Sequence, residues 1–218
     1  GKDGLNGADL TTKVNALRNG EAGTVVFTDP QGNRLVKANN GKYYPVADVE
    51  ANGNVKPGVD ENTGIANPEL RVVSVQGDTT TPNTLNNVAS GLGLDGKNPG
   101  VTPEADYGKP ISVGDAQAVV KKLATQSEGL NKAATVRDLQ ALTNAGLTFK
   151  GDTENDVVER KLGETLNITG DGVKVTKNKD GNGLVLSIDQ GKVQTKNVAD
   201  QAVTSAKLAQ DARTVVYV

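Results

Sequence analysis

The stretch ATVRDLQALTNAGLTFKGDTENDVVERKLGETLNITGDGVKV, residues 134–175, holds both kinds of regular structure and the switch between them. Thr135 followed by Asp138 has the spacing of a capping box with Asp in place of Glu. Val136, Leu139 and Leu142 then recur at helical intervals until Gly146 supplies a stop. Beyond it the period shortens. LTFK (147–150) and TLNIT (165–169) read as strands, and GVKVTK (172–177) faces LVLSI (184–188) across an NKDGNG turn. Val173 and Val175, and then Leu184, Leu186 and Ile188, alternate with polar residues, which predicts a hairpin with one wet face.

Working upstream, a second helix starts near Ser112, with Asp115 three residues on, and carries Val119, Val120, Leu123 and Leu130. Gly129 interrupts the run. Both helices have narrow apolar stripes on a polar surface, which predicts a coiled-coil seam rather than a helix lying on a sheet. Residues 85–110 hold glycines and prolines without periodicity and read as a connector. Nearer the start, Leu10, Val14 and Leu17 predict a helix over 8–19 that ends at Gly20. TVVFT (24–28) and RLVKA (34–38) predict a hairpin around DPQGN, with further strands at Tyr43–Val46 and 70–76 and a loop over 51–69. Downstream, residues 195–212 are Ala-rich, and Val198, Ala202, Val203, Ala206 and Ala209 suit a slender helical seam; RTVVYV (213–218) reads as the start of a strand.

Composition limits the chemistry. The 218 residues include no His, Cys, Met or Trp, two Phe, four Tyr and 26 Gly. Without imidazole or thiolate there is no Ser-His-Asp triad, no Cys nucleophile, no zinc finger and no His-held haem, so no enzyme activity, cofactor or metal is expected. Leu, Ile, Val and Phe number 52, just above the fraction at which chains stay disordered, and aromatics are 3%. Such a chain gains enough buried surface by sharing its core with identical copies. The net charge of −2 is spread evenly over the two halves, which disfavours a nucleic-acid face. No apolar run approaches the roughly 18 residues of a membrane span, and GKDGLNGADL lacks the pattern of a signal peptide, so the chain reads as a piece of a longer protein.

Most motifs have plain readings. Gly91-x-Gly93-x-x-Gly96 matches a dinucleotide fingerprint in letters, but Lys-Asn-Pro-Gly follows where a helix should begin, so it reads as a connector. Asp152, Glu154, Asp156 and Glu159 read as a solvated acidic loop ahead of a Ca²⁺ site or a catalytic pair. Asp180-Gly-Asn-Gly183 is a hairpin turn, and Asn167-Ile-Thr169 is a glycosylation pattern at a strand end. Tyr43 and Tyr44 form the one aromatic pair and read as core ahead of a partner-binding anchor.

Residues 134–175 resemble passenger-domain sequence of trimeric autotransporter adhesins, with a GLTFKGD…V.RKLGETLNITG pattern. LNNVASGL (85–92) is similar to the start of that family's necks, ISVGDAQAVVKKL (111–123) to its stalk start, and EAGTVVFTDPQGNRLVKANNGKYY (21–44) to its head repeats. About 150 residues share the resemblance. Phe149 stands in the strand where some modules of the family carry a central Trp, and a 19-residue insert (92–110) separates neck from stalk.

The resemblance implies an α+β, mainly β, elongated parallel homotrimer of prism-like head modules alternating with short coiled-coil helices. The expected organisation is a head module over 1–84, a neck-like connector over 85–110, coiled-coil helices over 111–146, a β-rich module over 147–194 and a stalk start over 195–218. Val119, Leu123, Leu130, Val136, Leu139, Leu142 and Phe149 are the expected trimer core. The implied role is a non-enzymatic adhesin segment on a Gram-negative cell surface, held by an outer-membrane anchor outside this chain. It would bind a host cell-surface or extracellular-matrix protein or glycan, with no nucleic acid and no membrane span. Asn39, Asn40, Lys42, Tyr43 and Tyr44, with the 51–69 loop, are the receptor-binding candidates, because irregular loops on a rigid scaffold carry recognition. The alternatives are a phage tail-fibre-like trimeric segment, with which QAVTSAKLAQDA is shared, and a spacer without a receptor site of its own.

Overall fold

The structure, a computed structural model, describes residues 4, 6–18, 23–95 and 110–213. It divides into two compact units, residues 1–88 and 89–218. Among the described residues there are three α-helices and three small antiparallel sheets, an α+β chain. No helix among them is long and apolar enough to cross a membrane. Gly20, residues 96–109 with Gly96 and most of the insert, and 214–218 of the terminal strand expectation lie outside the described residues.

In the first unit, Asn6 caps helix α1 (Gly7–Arg18) by accepting the Asp9 N–H at 2.8 Å. Its stripe of Leu10, Val14 and Leu17 is exposed. The sheet runs β3-β2-β1-β4, with β1 Val25–Thr28, β2 Arg34–Lys37, β3 Tyr43–Pro45 and β4 Glu69–Val72. Register places Phe27 opposite Leu35 and Val36 opposite Tyr44. Val36, Ala38, Tyr44 and Val49 form the small core, with Val55 and Val59 against it.

Tyr44 sits at the centre of that core. Its ring is fully buried, its hydroxyl donates to the Glu61 carbonyl at 2.6 Å, and it accepts from Asn40 Nδ2 at 2.9 Å. Gly64 makes the room, since a Cβ there would lie 2.5 Å from Tyr44 Cζ. The strand expected over 70–76 stops at Val72 because Asp78 draws residues 74–81 into a turn. Asp78 accepts Ser74 Oγ and the N–H groups of Thr80 and Thr81, and the turn it closes leaves Val75 93% exposed. The Thr81 N–H and the Ser74 hydroxyl hold the Asp78 carboxyl far below the usual carboxylate range.

In the second unit, α2 (Val113–Leu123) and α3 (Val136–Ala145) pack on each other within one chain. Leu130, expected on the helical stripe of α2, lies instead in the turn between them, because α2 ends at Leu123 and Gly129 takes φ 68°. Gly146 then ends α3 at φ 50°. A Cβ there would meet the Arg160 carbonyl at 1.9 Å, so the helix-to-strand switch requires glycine.

Strand β5 (Leu147–Lys150) pairs with β6 (Val157–Arg160), Phe149 opposite Val158. The strand expected at TLNIT is irregular here. A tight turn won: Gly151 N–H donates to the Asp156 carbonyl at 2.7 Å and Asp156 caps Thr153, so the nearest apolar pair, Val157 and Val158, closes the hairpin first. Strands β7 (Val173–Lys177) and β8 (Leu184–Ile188) form the expected hairpin, its turn tied by Asn178 Oδ1 accepting from Asn182 and Gly183. The predicted single wet face is two, since neither face is covered by the chain.

The tail is not a helix. Short 3₁₀ turns stand at Gln190–Lys192, Thr195–Asn197, Ser205–Lys207 and Gln210–Arg213. Val198, Ala202, Val203, Ala206 and Ala209 therefore share no helical face; Asn197 Oδ1 accepts the Gln194 N–H at 2.9 Å, a local bond that competes with a helix for its backbone donors.

The Tyr44→Phe variant should lower the stability of the first unit by about 1–2 kcal/mol, because it leaves the Glu61 carbonyl and Asn40 without their shared hydroxyl. Tyr44→Ala should cost about 3–5 kcal/mol. Urea unfolding followed at tyrosine absorbance and by circular dichroism checks both.

Candidate functional site

The second unit carries the expected trimer core, and its geometry begins with how closely two helices approach. Ser112 caps α2 by accepting the Asp115 N–H at 3.2 Å. The buried positions between the helices are Ala116, Ala141 and Ala145, whose small side chains allow close packing, and Asn144 Nδ2 donates to the Ile111 carbonyl at 3.0 Å.

Asp138, read from sequence only as a capping residue, is the centre of a larger network. Its carboxylate accepts from Thr135 N–H at 2.8 Å, from Thr135 Oγ1 at 3.3 Å and from Gly91 N–H at 3.0 Å, and from Ser90 Oγ by a short bond. Ser90 in turn accepts the Leu94 N–H at 2.9 Å, and its own N–H donates to Asp95, which lies 3.9 Å from Arg137 Nε. Residues 90–95 are thereby fastened to the start of α3 across more than forty residues of sequence. Gly91 is pressed so near that a Cβ would lie 2.4 Å from the Ala133 carbonyl, which is the physical use of the first glycine in the fingerprint-like motif.

Burial pushes the Asp138 carboxyl up. Hydrogen bonds from the Ser90 hydroxyl and the N–H groups of Thr135, Gly91 and Leu92 outweigh it and hold the group below the ordinary carboxylate range.

The seated loop and the two helices line an apolar cleft of about 280 Å³, with Leu92, Val120, Leu123, Leu130, Leu139 and Leu142 on its walls. Four trimer-core candidates, Leu123, Leu130, Leu139 and Leu142, are therefore brought together at one open cleft. Leu130 is 70% exposed and Leu139 57%. Val136 is 82% exposed and does not line the cleft, and Val119, half-buried, is not on its wall either. Phe149 lies on the β5–β6 hairpin with Leu147 and Val158 on the same face, all of them exposed. Gln117 of α2 reaches the opposite face through Thr148 at 3.3 Å and Glu159 at 3.4 Å.

The β7–β8 hairpin presents a second apolar surface. Val173 opposite Ile188 and Val175 opposite Leu186 place four apolar side chains and Leu184 on one face, and Ile188 is 70% exposed.

The receptor-binding candidates in the first unit divide. Tyr44 is core, which corrects its place among them: a fully buried ring whose hydroxyl is already bonded has nothing to present. Asn39 donates to the Asn52 carbonyl and to Asn54 Oδ1, and Asn40 holds Tyr44 and accepts the Lys42 N–H, so both shape the turn. Tyr43 is half-buried and packs on Phe27 with ring centres 4.8 Å apart. Asn39 and Asn40 are exposed and Lys42 and Tyr43 half-buried, so these four, unlike Tyr44, keep accessible surface.

The acidic loop is a turn: Asp156 accepts from Thr153 N–H and Oγ1, and Glu154 pairs with Lys150. Among the described residues no cluster of His, Cys, Asp or Glu has the arrangement of a metal site.

Because the folded-state value of Asp138 lies below its unfolded one, the carboxylate contributes its full stability above about pH 4 and loses it as pH falls through the folded value. Asp138→Asn should cost about 1.5–3 kcal/mol at pH 7, where a charged acceptor is replaced by a neutral amide, and should flatten the acid side of the stability profile. Urea midpoints at pH 7 and pH 3 for both proteins measure this. No family model, curated protein or solved structure matches the chain.

Proposed function

We propose that this chain is a non-enzymatic segment of a Gram-negative surface adhesin that works as a parallel homotrimer, its cleft and hairpin faces closed by the other two copies. The observation that supports the reading is the apolar surface left to water in a single chain. Leu123, Leu130, Leu139 and Leu142 surround one open cleft, and Val173, Val175, Leu184, Leu186 and Ile188 form one open sheet face. Covering each such side chain is worth roughly 1.5–3 kcal/mol, so association would repay a composition too poor in large residues for a thick core. Attachment would then be multivalent: three equal sites per trimer, directed at a host cell-surface or matrix protein or glycan, raise avidity without a single strong contact.

A second reading, a trimeric fibre segment of the phage tail-fibre kind, is favoured by the tail, where a succession of short turns replaces the expected stalk helix. A segment that only spaces a distal head is the third.

Sedimentation at micromolar concentration should give three times the chain mass, and Leu139→Asp with Leu142→Asp should shift the protein toward monomer. A well-folded monomer for the unaltered chain would overturn the assembly. Binding of the full chain to host cells should fall about tenfold on Lys42→Ala with Tyr43→Ser, since loss at each of three sites multiplies through avidity. Undiminished binding would move the receptor site elsewhere, and no binding at all would favour the spacer or the fibre.

A further inference from the structure

The tail from Asp189 to Arg213 repeats in two independent ways. Its backbone closes a turn every five residues: the N–H groups of Lys192, Asn197, Ala202, Lys207 and Ala212 donate to the carbonyls of Asp189, Gln194, Ala199, Thr204 and Ala209, all at 2.9–3.0 Å. Its large apolar residues keep the same step: Val193, Val198, Val203 and Leu208 each follow one of these turns. Val193, Val198 and Leu208 have extended dihedrals there, so the unit is a tight turn followed by an extended apolar residue. Among the described residues no other segment repeats a backbone bond at this interval more than once.

Nothing among the described residues covers this row. Residues 190–213 are exposed throughout, and an isolated run of single turns has no cooperative ladder to hold it. We infer that residues 189–213 are an array of five-residue units that pairs, parallel and in register, with the same segment of other copies of this chain. The inference rests on the self-association proposed above and adds where the copies meet.

Period and charge select a second copy as the occupant. A helix repeats every 3.6 residues and a strand every two, so neither keeps step with four apolar residues spaced by five. An identical segment does. Each of two lysines is followed four residues on by an aspartate, Lys196 by Asp200 and Lys207 by Asp211, so the like charges that in-register copies bring side by side have an opposite charge nearby along the array. Within its own chain Lys196 pairs with Asp171 at 2.9 Å, which ties the second unit of the array to the turn before β7.

The chain has no cysteine, so any introduced thiol is unique. Val193→Cys, Val198→Cys, Val203→Cys and Leu208→Cys should each form a disulfide with the same position of another copy on mild oxidation of the full chain. Thr195→Cys, Ser205→Cys and Gln210→Cys should do so about fivefold less, since the bond needs Cα atoms about 5.5 Å apart. All seven sites are exposed and should leave circular dichroism unchanged. A yield that peaks every five residues supports the array. Crosslinking confined to a single position overturns it in favour of antiparallel contact, since antiparallel copies bring a residue onto its own counterpart at one point only. Sedimentation on the same samples separates the two proposals: an oligomer without the five-residue pattern overturns the array and leaves the assembly standing, and a monomer overturns both.

Discussion

Among the described residues Tyr44 and Thr28 are the largest side chains removed completely from water, and that shortage of core volume governs the rest of the structure. A domain that cannot bury many large residues must offset the entropy of ordering its backbone by other means. Here short polar side chains do much of it by bonding to nearby backbone. Asp29, Asp60, Asp78, Asp156, Glu164 and Asn178 each accept from N–H groups within five residues, and each closes a turn. The result is a chain ordered locally, in small pieces, with apolar faces that the pieces do not cover for one another.

Asp138 differs from these in range. They act within a turn, whereas this carboxylate joins the 90–95 segment to α3 and so decides where the wall of the cleft stands. Its carboxylate is satisfied by Thr135 on one side and by donors of the seated loop on the other, so the loop stays beside the helix start and leucines of both helices line the cleft next to it. The cleft is therefore a product of satisfied polar groups more than of apolar packing.

The same logic runs through the tail. Turn chemistry recurring every five residues orders a segment with no buried residue, and the apolar residues between turns are carried along in a regular row. The cleft, the β7–β8 face and this row are alike in having regular geometry and no cover among the described residues. That common condition links the proposed assembly to the composition, since other copies are the source of core that a chain of this make-up lacks.

Local signals were legible in the amino-acid sequence. Ser112 and Thr135 start their helices, Gly146 ends one, DPQGN and NKDGNG make their hairpins, and Tyr44 is core, because capping, positive φ and alternation act over a few residues. Pairing was not legible. Val157–Arg160 rather than TLNIT partners β5, since a tight turn outcompetes a longer loop, and Leu130 leaves its helix once Gly129 turns the chain. The tail showed its five-residue spacing in the letters, yet alanine content alone argues for a helix, and only the backbone bonds between successive turns reveal the true period. The role of Asp138 was beyond sequence for the same reason: its donors Ser90 and Gly91 stand 48 and 47 residues away, a closeness that packing creates and no local propensity encodes.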